Sequence, residues 1–174
     1  MNRTITLLVR SVIAAYAAAT LATAAVAAPS FEDAGNVFAR GEHPALTAIG
    51  GFAAGQERLA GEFNAICGDT FCAGDFGNLQ ALSLVCSVEA QAQQVGQCIW
   101  VFAGSYASVD RATGKVSMNK QAFECDLGFK GTAADLSAFL VAAAEGGASG
   151  TDGLRQVKIP GGGRTLMDVL LNCL

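Results

Sequence analysis

Six cysteines, Cys67, Cys72, Cys86, Cys98, Cys125 and Cys173, constrain this chain more than any other feature. An even number without a C-x-x-C pair, in a chain whose one histidine is His43, reads as disulfides rather than as a zinc site. Six cysteines allow 15 pairings, and spacing alone does not choose among them. Strand periodicity favours one. From Asn78 to Phe129 the pattern is a three-stranded antiparallel meander, with strands expected over 79–89, 96–109 and 115–127. Turns fall near Gln91–Gln94 and at Arg111-Ala112-Thr113-Gly114. With the first turn centred on Ala92, Cys86 lies opposite Cys98. With the second centred between Ala112 and Thr113, Trp100 faces Cys125 and Phe102 faces Phe123.

Alternation then gathers Leu82, Leu84, Cys86, Val88, Cys98, Trp100, Phe102, Phe123, Cys125 and Leu127 on one core face. Cys125 points inward beside an occupied cross-strand pair. Its partner must come from an element packed on that face, and Cys173 is the candidate. Cys67 and Cys72 then close a tight turn, Gly68-Asp69-Thr70-Phe71. The expected set is 67–72, 86–98 and 125–173, worth roughly 2, 3 and 4 kcal/mol by loop closure.

Oxidation requires export, and the N-terminus supplies a route. Residues 1–27 read as a secretory signal peptide: Arg3 and Arg10, an uncharged apolar stretch from Ser11 to Ala28, and Ala25-Val26-Ala27 as a cleavage site. Cleavage leaves 147 of the 174 residues, one ordinary domain, and lowers the net charge from −4 to −6 because both lost charges are arginines. An acidic chain of this size is a poor match for nucleic acid or for anionic lipid. It is expected to be secreted or periplasmic, with no membrane attachment after cleavage. Its alanine- and glycine-rich composition suits a GC-rich bacterial genome.

Helices flank the meander. Ser30-x-x-Asp33, Thr132-x-x-Asp135 and Thr165-x-x-Asp168 read as capping boxes. The first opens a short helix ending at Gly41, the second a helix over Ala133–Glu145, and the third a terminal helix that carries Cys173 to the sheet. Phe52, Leu59, Phe63 and Ile66 form a further helical stripe, despite Gly55 and Gly61, each costing roughly 1 kcal/mol relative to alanine. Gln156–Ile159 reads as a short edge strand, and 146–153 as a surface loop. The fold class is α+β: a disulfide-stapled meander at about 79–127 packed with flanking helices, a single domain over 28–174. In architecture it is similar to cystatin-like helix-on-sheet folds, without carrying a sequence motif of those families.

Candidate chemistry is sparse. The segment Cys67–Asn78 presents Asp69, Asp75 and Asn78, oxygen ligands that suit a cation or partner loop, although its Gly-Asp pairs are also ordinary turn chemistry. Pro160-Gly-Gly-Gly-Arg164 precedes a helix N-terminus, where anions bind, but lacks phosphate-loop spacing. No G-x-S-x-G elbow is present, and Ser105 and His43 show no triad arrangement. Glu124 and Asp126 form a same-face carboxylate pair, the basis for an alternative reading as a small exported hydrolase. No catalytic, metal or cofactor residue is assigned.

The second sheet face, Val85, Ile99, Val101, Ala103, Val116 and Met118, is too apolar to be freely wetted. Segment 31–66 is expected to cover it. If it does not, a homodimer or a ligand groove follows. The leading reading is a non-catalytic binding protein for an unknown protein or small ligand. A structural envelope component is a further alternative.

Overall fold

The computed structural model describes residues 28–41, 43–72, 76–145 and 152–174. The expected leader, residues 1–27, lies outside the described residues.

An antiparallel sheet forms the frame, in the order β1 (Phe31–Asp33), β2 (Gln80–Glu89), β3 (Val95–Val109) and β4 (Val116–Asp126). The sheet has four strands rather than three. Phe31–Asp33 pairs with Glu89–Ser87 instead of opening a helix at Ser30. The helix starts one turn later as α1 (Ala34–Ala39), because Asp33 is the residue that caps it: its Oδ1 accepts the Gly35 N–H at 2.7 Å. Gly41, at φ 77°, ends that segment as expected.

The meander register is the one read from alternation. Cys86 pairs with Cys98, Leu84 with Trp100, Trp100 with Cys125 and Phe102 with Phe123. One side chain departs from it. A register shift between Ala81 and Ser83 turns Leu82 away from the core, and it is 59% exposed.

Helices α1, α3 (Gly51–Thr70) and the terminal α6 (Leu166–Cys173) pack on the sheet, while α2 (Pro44–Ala48), α4 (Ala133–Glu145) and α5 (Asp152–Gln156) pack mainly on these helices and on one another. The α3 stripe of Phe52, Leu59, Phe63 and Ile66 is buried. Phe63 carries the contact with the sheet, its ring 4.7 Å from Phe102 and 6.3 Å from Trp100. This helix is longer than its expected 52–66 span. The 67–72 bridge therefore clamps the C-terminal turn of a helix, where the Phe71 and Cys72 N–H groups both donate to the Cys67 carbonyl. Residues 152–156 are helical, and the edge strand expected over Gln156–Ile159 reduces to a single bridge, Lys158 to Thr165. The bulk of the 146–153 loop lies outside the described residues.

All three disulfides have the expected partners, Cys67–Cys72, Cys86–Cys98 and Cys125–Cys173, and no described cysteine is free. Such a set fits an oxidising compartment. No helix among the described residues is long and apolar enough to cross a membrane.

Candidate functional site: the open face of the sheet

Strand alternation gives the sheet two apolar faces, and the helices cover one. Segment 31–66 was the expected cover for the second, but α3 packs on the same side as Trp100, Phe102 and the Cys125–Cys173 bridge. The reason lies in the stripe itself. Phe63 and its neighbours are large enough to fill the space over the aromatic rows of β3, and one helix stripe cannot serve two faces.

Among the described residues, no element covers the second face. Val85, Val109, Val116 and Met118 are exposed (48%, 62%, 63% and 60%), and the bulge adds Leu82 to them. Ile99, Val101 and Ala103, at the centre, are partly shielded by these neighbours. Most of the large exposed apolar side chains of the described residues share this face. Isolated surface hydrophobes are common, but a contiguous set on one sheet face is the pattern of a contact surface.

A shallow concavity of about 500 Å³ lies where β2 ends, bordered by Asn78, Gln80, Leu82, Ala103, Ser105 and Lys120. Its rim explains Asn78. Beyond Gln80, which pairs with Ala103, strand β2 stops, and the next inward-facing backbone N–H of β3 belongs to Ser105. The Asn78 side chain takes the place of the missing strand. Its Oδ1 accepts the Ser105 N–H at 2.6 Å and its Nδ2 donates to the Ser105 Oγ at 2.7 Å. Past this point β3 and β4 continue as a two-stranded arm from Ser105–Lys120 to Val109–Val116, exposed on both sides apart from partial shielding at Ser105 and Ser108. Asn78→Ala removes both bonds and is expected to cost about 1 kcal/mol. Amide exchange at Ser105 should accelerate more than at Trp100; equal protection in variant and wild type would show that Asn78 does not brace the arm.

Of the three residues read above as a cation or partner loop, Asn78 has its amide oxygen bonded to the Ser105 N–H. Asp69 falls in the last turn of α3, and Asp75 lies outside the described residues. Among the described residues, no group of three or more His, Cys, Asp or Glu side chains is placed to share a metal ion.

The carboxylate pair sits on the open face, Glu124 opposite Val101 and Asp126 opposite Ile99. Asp126 is tied down. Gln97 Nε2 donates to its Oδ2 at 2.8 Å and the Gly128 N–H to its Oδ1 at 2.8 Å. These bonds, with Arg164 nearby, hold its carboxyl below the usual range. It is thus stabilised as an anion, opposite to what a general acid requires. Asp110, Asp135 and Asp168 are likewise lowered, each chiefly by backbone N–H donors of a turn or cap.

The N-terminus of α6, considered above as an anion site, is filled from within. Thr165 Oγ1 accepts the Asp168 N–H and Asp168 Oδ2 accepts the Thr165 N–H, completing the expected capping box. Arg164 lies against Gly128 and close to Asp126 and Asp168. His43 packs edge-on to Phe38 at 4.7 Å, and neither ring is among the groups bordering the concavity beside Ser105.

No protein-family model, no curated protein and no solved structure matches the chain.

Proposed function

We propose that this is an exported binding protein without catalytic activity, acting in the periplasm or outside the cell through the open face of its sheet. The supporting observation is the exposure of Leu82, Val85, Val109, Val116 and Met118 on one side of a sheet whose other side, short of the β3–β4 arm, is packed by helices. Three disulfides and a helix-backed core hold that face rigid, which reduces the ordering cost of binding. The ligand is a protein segment or small molecule with an apolar surface. Lys120 and Glu124 supply polar contacts within the face.

A panel of extended apolar peptides, read by amide exchange, tests this. Binders should protect β3 and β4 amides, and Leu82→Asn with Met118→Gln should weaken binding about tenfold through lost apolar contact, with little change in Tm. Binding that is indifferent to both substitutions, or protection confined to the helices, would refute the reading.

A further inference from the structure

The two edges of the sheet are treated differently. At the β2 edge, β1 pairs with residues 87–89, and the Leu84 N–H donates to Gln56 Oε1 of α3 at 3.0 Å. Helix and strand together cover that side. At the other edge, β4 is the last strand, and its residues from Val116 to Glu124 are exposed except for Phe123 and its close packing on Phe76.

Which groups β4 presents follows from the ladder. The Leu127 N–H donates to the Cys98 carbonyl at 2.9 Å, and the Asp110 N–H donates to the Lys115 carbonyl at 2.9 Å. Antiparallel pairs alternate between bonded and non-bonded. Odd-numbered residues of β4 therefore bond to β3, while Met118, Lys120, Ala122, Glu124 and Asp126 turn their N–H and C=O groups to the free edge. The side chains of those same residues lie on the open face.

We infer that this edge pairs with a second copy of the chain, antiparallel, about a two-fold axis through Ala122. That register places Lys120 opposite Glu124 of the partner subunit, and Glu124 opposite the partner subunit's Lys120. All the outward backbone groups from Met118 to Asp126 find bonded-pair partners, and the methyl group of Ala122 at the axis leaves room for close approach. A shift of two residues one way leaves Lys120 opposite an alanine, and the other way opposite Asp126, whose carboxylate already accepts from Gln97 and the Gly128 N–H, so the Lys120–Glu124 pairs favour this register. The result is a continuous eight-stranded sheet with both open faces on one side, doubling the apolar surface. The same register brings the helix-side face of the arm, where Tyr106 is 46% exposed, alongside α6 of the partner subunit, whose own surface in each copy carries the exposed Leu171. The inference rests on the edge and not on the ligand reading of the face.

Sedimentation velocity of the oxidised chain over a concentration series tests it. The wild type should dimerise below about 1 mM. Lys120→Glu and Glu124→Lys should each raise the dimer Kd roughly tenfold, since each converts two attractive pairs into repulsive ones. The double exchange K120E/E124K should restore the wild-type value. Ala122→Pro, which removes an edge N–H without touching the β3 ladder, should abolish dimerisation with the fold retained. A monomer throughout, or a dimer that the double exchange does not rescue, overturns the inference. A monomer that still binds apolar peptides removes the dimer alone, and a rescued dimer that binds none removes the ligand reading alone.

Discussion

Replacing Cys125 and Cys173 together by alanine is expected to cost about 4 kcal/mol, the largest loss from any one of the three bridges. The bridge closes a loop with a sequence separation of 48, against 12 for Cys86–Cys98 and 5 for Cys67–Cys72. Loop closure grows with the logarithm of that separation, so the same substitution of the 67–72 pair is worth about half as much. Position adds to length. Cys125 is fully buried against Trp100, and α6 has only eight residues, too few to persist without tertiary contacts. Losing the bridge leaves Leu166, Val169 and Leu170 as the main hold of α6 on the sheet. Thermal unfolding of the two double variants beside the wild type gives the ordering directly. Equal Tm losses for the 125–173 and 67–72 pairs would contradict it.

This bridge was legible because two independent periodicities met in it. Strand alternation turned Cys125 inward, and the 3.6-residue stripe of Leu166, Val169, Leu170 and Cys173 turned Cys173 toward the same core. Strand alternation alone placed Cys86 opposite Cys98, and the Thr132–Asp135 capping box marked the start of α4. Alternation failed where one residue of register decided the outcome. Leu82 fits the inward alternation until the irregularity at Ala81–Ser83, and nothing in the local composition marks that bulge. Phe31–Asp33 is too short to show alternation at all, and Asp33 serves equally well as the third residue of a capping box or as the cap itself. An amphipathic stripe shows that α3 packs on something apolar, but both faces of this sheet qualified, and sequence carries no label for the side. The bonds of Asn78 to Ser105 depend on where β2 stops, which only the assembled sheet reveals.

Truncating one large apolar side chain on each face should separate frame from function. Phe63→Ala is expected to cost 3–5 kcal/mol, the range for emptying a packed aromatic site in a core. Phe63 is fully buried, stacked on Phe71 at 5.5 Å and in ring contact with both Trp100 and Phe102, so no neighbour can close the space without breaking another contact. Met118→Ala removes a side chain of comparable length from the open face, where it is already 60% exposed, and should change stability by less than about 0.5 kcal/mol. The tenfold difference in free energy per side chain follows from one fact: helices back one face of the sheet and leave the other to the solvent. Denaturant midpoints measured on the oxidised proteins check both values. A large loss at Met118 would mean that an element of this chain covers that face in solution, and would remove the basis for reading it as a binding surface. A small loss at Met118 alongside a large one at Phe63 leaves an apolar surface that folding does not require, the pattern of a contact surface.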